Sequence, residues 1–539
     1  MKSSKPTQAT VGAAVAAMLE QLGVDVVFGI PGNHTAELYR GLSQTSIRHI
    51  TTRHEQGAAF MADGYARVQG RPGVCFLISG PGLLNAATGI TQAQQDGVPL
   101  LVITTCTSSP GANTGLHEMP DQDAVAAGLG KAFYKLTAPS QLARTLLQAY
   151  ETCLTPSPGA VILQIPEVLL DRVVTSISIR QAKPQTTDLT PRKYSQLIRP
   201  LARAKRPLIL VGGGAQWTDP LQVAKLADVL DAPVVNTVNG KGVVPIDHPL
   251  AVGGSPSLPC LKRALAKADV VLALGTQLSE TDYDLLMDNT PAPAGRWLHV
   301  NTATTLPRGT TQSDVFCAPV DPVVTTLLNT LAQHRRRGRQ RAAQLRKQVL
   351  QEPHYHQDFV QVFNAISQAA DDLVLVGDST RPTYYAAWMY ECRKPRRYFH
   401  SASGFGTLGY AIPAAMGARL ASDVPVVALI GDGGAQFSFP ELATAVDNQI
   451  GVPIIIWQNQ GYEEITNSLK ARGVGASSTE VSAPDYRKVA EAYGIGCISP
   501  RSIEGLTRAI RQTLTDNQPS LILVDQQRFV HSPSGEWYG

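Results

Sequence analysis

The stretch VPVVALIGDGGAQFSFPELATAVDNQIGVPIIIWQNQGYEEI, residues 424 to 465, offers a carboxylate and, 27 positions later, a carboxamide: Asp432 and Asn459. Each sits just past an apolar run. One carboxylate, one amide oxygen and a backbone carbonyl, for which Gly461 is the candidate, make a sparse set of hard oxygen ligands. Such a set suits Mg²⁺, which completes its octahedron with water and phosphate oxygens. The N–H groups of Gly433 and Gly434, with Gly431 beside them, can meet the same phosphates. For GDG alone a plain turn aspartate is the simpler reading; the pairing with Asn459 carries the metal–diphosphate reading.

For these two groups to meet, the chain between them must form a βαβ unit. VPVVALI is apolar on every residue, as a strand buried on both faces is. Ser438 and Glu441 have capping-box spacing, with Pro440 in the first turn. Leu442, Ala445 and Val446, with Gln449, then recur on one helix face. GVP closes the helix and PIIIW is the next strand. A right-handed crossover brings both strand ends to one sheet edge, where α/β sheets bind ligands.

Similar runs recur: GVCFLIS (73 to 79), PLLVIT (99 to 104), AVILQI (160 to 165), PLILVG (207 to 212), VVLALG (270 to 275) and LVLVGD (373 to 378). With helical patterns between them, the expected fold is α/β, with three doubly wound parallel-sheet domains. The polar stretches 171 to 193 and 334 to 357 read as connections, the second without a core pattern. Domains are therefore expected at 1–170, 190–335 and 350–539. The outer two share a theme of strand, glycine turn and small-residue helix.

The chain has 539 residues, 43% apolar and 17% charged, with a net charge of +4. That spread-out charge suggests no nucleic-acid partner, and the basic HRRRGRQR (334 to 341) reads as a linker or solvated helix face. No apolar run approaches the ~18 residues of a membrane span. The seven cysteines lack a CxxC pair, and MKSSKPTQATVGAA lacks an apolar leader core. A reducing, cytoplasmic setting is expected.

Over essentially its whole length the chain resembles the thiamine-diphosphate (ThDP) enzymes, in the order pyrimidine-binding, middle and diphosphate-binding domain. GDG, helix, strand and then NN is that family's diphosphate motif; here Gln458 replaces the first Asn and Asn459 is kept. TTRHEQGAAFMADGYAR (51 to 67) places Glu55 at a strand-to-helix junction. The resemblance implies that Glu55 hydrogen-bonds N1′ of the aminopyrimidine, favouring the imino form that takes the thiazolium C2 proton. A glutamate favoured by the helix dipole is the bland alternative. The resemblance also places Pro31, Gly406, Leu408 and Ser379 at the cofactor. Leu408, in GFGTLGYAIPAAMG (404 to 417), stands where a bulky apolar residue bends it, and Ser379, in GDST (377 to 380), is on its phosphate side. Because Glu55 and Asp432 would grip opposite ends of one cofactor, a homodimer or homotetramer with active sites between chains is implied.

A 2-oxo acid bound by such an enzyme loses CO₂. Protonation then gives an aldehyde, and attack on a second carbonyl gives a carboligated product. Candidate deciding groups are Asn33 and His34 in FGIPGNHTAELYRGL, His117 in ANTGLHEMPDQDA, and Glu463 and Glu464 in NQGYEEI. Acetolactate synthases carry Gln at the His117 position; a histidine shuttles protons near neutral pH and suits a decarboxylase. A loop histidine is equally an ordinary hydrogen-bonded surface residue. Together these motifs resemble the branch that decarboxylates 5-guanidino-2-oxopentanoate, whose cationic tail the acids Glu118, Asp121, Asp123, Glu463 and Glu464 could meet. Non-oxidative decarboxylation is expected, with an acetolactate-synthase-type carboligase as the alternative. The glycine cluster in PLILVGGGAQW (207 to 217) can bind a dinucleotide. It is not a full GxGxxG, and the flavin-contacting RFDDR-like segment is absent, so FAD is not expected and the cluster reads as structural.

Overall fold

Each apolar run becomes a strand, and the strands assemble into three separate, fully parallel sheets. The computed structural model describes residues 8–107, 119–175, 189–278, 295–302, 313–353, 355–475, 477–479 and 481–530. The N-terminal region contains β1 (Gln8–Thr10), β2 (Val26–Gly29), β3 (Arg48–Thr51), β4 (Gly73–Leu77), β5 (Leu100–Cys106), β6 (Ala132–Lys135), β7 (Ala160–Pro166) and β8 (Val173–Thr175). β1 and β8 pair antiparallel; the other six form a sheet in the order β3-β2-β4-β5-β7-β6. The middle region contains β9 (Pro207–Val211), β10 (Val234–Asn236), β11 (Val270–Leu274), β12 (Arg296–Asn301) and β13 (Ser313–Cys317), ordered β10-β9-β11-β12-β13. The C-terminal region contains β14 (Val374–Gly377), β15 (Tyr398–His400), β16 (Val426–Gly431), β17 (Pro453–Gln458), β18 (Gly496–Ile498) and β19 (Ser520–Asp525), ordered β15-β14-β16-β17-β19-β18.

Every residue of β4, β5, β9, β11 and β16 is buried. That is the mark of strands covered by helices on both faces, so the expected architecture of three α/β domains is the one observed. Counted within its own sheet, each outer domain has the strand order 2-1-3-4-6-5.

The outer domains share one apolar core, which runs from Val26 through Ile162 and resumes from Val374 to Leu523. Its centre is the crossing of helix Glu55–Gln69 with helix Ala411–Ala421. The backbones touch there. A Cβ on Gly64 would lie 2.0 Å from the Ala414 carbonyl oxygen, and one on Gly417 would lie 1.8 Å from that of Met61. Beside the crossing, the buried Arg67 guanidinium pairs with Asp63 and Asp96, and the Tyr410 hydroxyl donates to Asp63. Burial pushes the Asp96 carboxyl up to about 6, against the pull of Arg67. Gln92, which donates to Asp96, accepts from the Thr407 hydroxyl of the opposite domain at 3.0 Å.

One stretch read as a bare connection is structured. Residues Gly338–Val349 form a helix that buries Ala342 and Val349 in one apolar cluster with Cys260, Leu261 and Leu265 of helix Pro259–Lys267, and Gly338 against Asp231. The stripe is only three small or apolar residues wide, and the long Arg, Lys and Gln stems around it hide the period.

Candidate active site

β16 ends at Gly431, and Asp432 opens the short helix that follows. Its carboxylate is buried. Oδ1 accepts the Gly433 N–H at 2.9 Å; Oδ2 accepts the Asn459 N–H at 3.2 Å and the Gln460 N–H at 2.9 Å. Burial pushes this carboxyl up, and the backbone donors pull it back. The crossover thus brings Asp432 and Asn459 together at one sheet edge. The Asn459 Nδ2 donates to Glu463 Oε2 at 3.1 Å, which leaves the amide oxygen available. Gly461, with φ +126°, occupies backbone space that favours glycine.

The glycines beside Asp432 let neighbouring side chains pack directly on the backbone. A Cβ on Gly433 would lie 2.6 Å from the Tyr462 ring, and one on Gly431 would lie 2.7 Å from the Thr380 hydroxyl. A buried carboxylate beside a carboxamide, next to glycine backbone, is a hard-oxygen set that fits Mg²⁺ carrying a diphosphate.

Beside Gly434 sits Asp378, the acid of the motif GDST. It is fully buried; Oδ1 accepts from Ser379 N (3.0 Å) and Gly409 N (3.3 Å), and Oδ2 from Ala411 N (2.9 Å). Burial pushes its carboxyl up to about 6 against these donors. Asp378 therefore ties the end of β14 to the loop bearing Gly406 and Leu408. The available signal was an acid directly after an apolar strand, the same signal as Asp432. The Ser379 hydroxyl lies 3.0 Å from that of Ser401. Gly406 has φ +79° and open space around it, and Leu408 is half-buried.

Glu463 and Glu464 open the helix Glu463–Ala471 and flank the buried guanidinium of Arg381, at 3.0 and 3.3 Å. Glu463 also accepts two hydrogen bonds from Gln526 Nε2. Neither acid stands alone, and sequence spacing gave no hint of Arg381, 82 residues earlier.

Glu55 lies in the N-terminal domain. It begins the helix Glu55–Gln69, capped by His54 Nδ1, which accepts from the Gln56 N–H. The Glu55 side chain is largely buried, and Oε2 accepts from Asn85 Nδ2 at 2.9 Å. The loop after β2 exposes Pro31 and Asn33 and sets His34 Nδ1 3.0 Å from the Ser79 hydroxyl. The turn at Ser79 and Gly80 is pinned by Gln122. Its Oε1 accepts the Gly80 N–H at 2.9 Å, and its Nε2 donates to the Thr105 carbonyl and to Gln164, both at 2.8 Å. Gln122 stands between the acids Asp121 and Asp123, and no motif spacing marks it. Those two have local duties: Asp121 caps helix Gln122–Leu129, and Asp123 pairs with Lys135 at 2.7 Å. His117 and Glu118 lie outside the described residues. Among the described residues, no hydrogen bond or ion pair joins the Glu55 group to the Asp432 group.

Glu441 departs from its expected capping box. The Ser438 hydroxyl is buried without a hydrogen-bond partner among the described residues, and helix Glu441–Asp447 has no side-chain cap. The Glu441 carboxylate is drawn instead to the Arg53 and His54 N–H groups of the other outer domain.

In the middle domain, Gly213 and Gly214 line a cavity of about 420 Å³ that Trp217, Asn239 and Gln277 also border. Close packing explains the glycines: the Gly214 N–H donates to the Gly275 carbonyl at 2.8 Å, and a Cβ on Gly212 would lie 2.5 Å from the Thr276 side chain.

Three family models match the chain. They are the N-terminal TPP binding domain of thiamine pyrophosphate enzymes over residues 9–126, the central domain over 194–315 and the C-terminal TPP binding domain over 378–524. The chain belongs to the thiamine pyrophosphate enzymes. It is 35% identical to a probable 2-ketoarginine decarboxylase of Pseudomonas aeruginosa, over 95% of this chain and 93% of that protein. It is 29% identical to the acetolactate synthase isozyme 1 large subunit of Escherichia coli, over 94% and 92%. A probable acetolactate synthase large subunit of Methanocaldococcus jannaschii is 27% identical, over 94% and 90%. The two clusters described above fall one in each TPP binding domain, with Glu55 in the first and Asp432 with Asn459 in the second. No helix among the described residues is long and apolar enough to cross a membrane.

Proposed function

We propose that this enzyme is a ThDP- and Mg²⁺-dependent lyase that decarboxylates a 2-oxo acid, 5-guanidino-2-oxopentanoate, to an aldehyde and CO₂. The observation that carries the site is the meeting of Asp432 with Asn459, whose amide nitrogen donates to Glu463 and whose amide oxygen accepts no hydrogen bond among the described residues. The substrate is suggested by the relative whose name is 2-ketoarginine decarboxylase.

In this reading Asp432, the Asn459 amide oxygen and the Gly461 carbonyl hold Mg²⁺. Gly431, Gly433, Gly434 and Ser379 face the diphosphate, while Pro31, Gly406 and Leu408 contact the rest of the cofactor. Bound ThDP supplies the electron sink into which a 2-oxo acid sheds CO₂. Glu55 holds the aminopyrimidine nitrogen, and Asn85 orients the carboxyl by occupying its other oxygen. His34 and His117 are the proton carriers, with Asn33 beside them; His34 is in hydrogen-bond reach of the Ser79 hydroxyl. Glu463 and Glu464, two carboxylates against the single Arg381 guanidinium, leave an excess of negative charge for a cationic tail.

A homodimer or homotetramer with active sites between chains is part of this reading. The exposed Leu84, Phe405 and Phe437, beside the motifs, support a covered face. A cytoplasmic location is proposed with it.

The second reading, a carboligase, rests on the acetolactate synthase relatives. Incubation with a panel of 2-oxo acids, ThDP and Mg²⁺ decides between them. Aldehyde and CO₂ from the guanidino acid support the first; acetolactate or another acyloin from pyruvate supports the second and removes the first.

A further inference from the structure

Residues 48 to 54, which lead into the Glu55 helix, are held by the C-terminal domain. The Arg48 guanidinium donates to the Asn448 carbonyl at 2.9 Å, and that of Arg53 pairs with Asp447. Between these surface ties lies a buried one. Glu441, 1% exposed, accepts the Arg53 N–H at 3.1 Å and the His54 N–H at 3.0 Å on Oε1; its Oε2 takes the Thr444 hydroxyl at 2.7 Å. Gly57, in the first turn of the helix, has no side chain to spare: a Cβ there would lie 2.3 Å from Glu441 Oε1.

The division of labour at this helix start is specific. The first N–H groups of a helix need partners from outside it. The Gln56 N–H is satisfied locally by His54. The two amides just before Glu55 are satisfied by a residue 388 and 387 positions away in the chain. An acid suits the task, because three donors converge on it in a buried spot and a carboxylate accepts all three without a donor of its own. Glu441 also lies nine residues after Asp432, in the turn-and-helix segment that follows the proposed metal ligand.

We propose that Glu441 is a positioning residue for Glu55, anchoring the backbone of residues 53 and 54 so that the Glu55 carboxyl is aimed at the aminopyrimidine. The proposal rests on the reading of Glu55 given under Proposed function. Glutamine at 441 keeps one oxygen to accept both N–H groups, and the Thr444 hydroxyl can turn to accept from its NH₂. Alanine leaves two buried N–H groups without partners.

The test uses full-length Glu441→Ala, Glu441→Gln and Glu55→Gln variants with three readouts. These are amide hydrogen exchange over residues 48 to 57 in cofactor-free protein, calorimetric binding of Mg²⁺ with inorganic diphosphate, and turnover with ThDP and Mg²⁺. In Glu441→Ala, exchange at residues 53 and 54 should rise at least about tenfold, as loss of a charge-assisted hydrogen bond gives. Its kcat should fall about 10- to 100-fold, the effect of misplacing a reacting group by under an ångström. Magnesium diphosphate binding should hold, and Glu441→Gln should recover most of kcat. Unchanged exchange at residues 53 and 54, or wild-type kcat in Glu441→Ala, overturns the proposal. A glutamine variant as slow as the alanine one overturns it too, since charge rather than anchoring would then be at work. So does joint loss of turnover and magnesium diphosphate binding, which would mean general loss of domain packing. Full turnover in Glu55→Gln sinks the reading of Glu55 itself, while the exchange result still judges the anchor separately.

Discussion

The N-terminal and C-terminal domains have the same strand order, yet they arm different strand ends. In the first, the carboxylate Glu55 follows the second strand, β3; in the other, Asp432 follows the third, β16, and Asn459 the fourth, β17. The C-terminal crossover places an acid and an amide on neighbouring parallel strands, so they meet. The N-terminal domain places one acid at a helix start, next to a single amide donor, which suits holding an uncharged ring nitrogen. One topology supplies both halves of a cofactor site because parallel strands all end at the same edge. Which strand end carries the functional group decides the chemistry.

The comparison breaks most sharply if the halves prove interchangeable. Glu55→Gln should lower kcat by about 10²- to 10⁴-fold, the usual share of general acid–base catalysis. Calorimetry should show its binding of ThDP with Mg²⁺ to be nearly that of the unaltered protein. Asp432→Asn should show the opposite pattern. Its affinity for Mg²⁺ should fall by more than the roughly 10- to 100-fold seen on losing a mere outer-sphere partner, and excess Mg²⁺ should restore part of the turnover. If both variants lose binding and turnover alike, the division between the domains is wrong.

A third substitution tests the contact between the domains. Gly417→Val drives a side chain into the Met61 carbonyl. Overpacking of this kind destabilises by about 1–3 kcal/mol or more, read as a lower melting temperature with outer-domain amides exchanging faster. The smallest expected effect lies in the middle domain, which has neither functional cluster. His299 on β12 is buried against Trp297, and neither ring nitrogen has a hydrogen-bond partner among the described residues. Burial pushes it down from 6.5 to about 4. The unfolded chain therefore takes up the proton first. Its share of stability is intact above pH 6.5 and is lost as pH falls towards 4, by up to about 1.4 kcal/mol per pH unit. His299→Leu should flatten that acid decline in melting temperature; an unchanged slope removes this account.

Much of the site was legible because strands announce themselves. Asp432 and Asn459 each follow a fully apolar run, and one right-handed crossover is enough to predict their meeting. Asp378 was legible by the same rule and was given no role. Arg381, Gln122 and the true partners of Glu441 were not legible. They act on residues from 17 to 388 positions away, and no local period encodes such distances.

The sequence by itself determined the three parallel-sheet domains, their order, and the residue types available at each strand end, because burial on both faces and helical periodicity are local properties. Only the tertiary structure decided which of those residues share a site. Pairing of acids with Arg381, Lys135 or backbone N–H groups depends on how sheets and helices stack. The free energy of a buried carboxylate is set by those neighbours and not by its position in the chain.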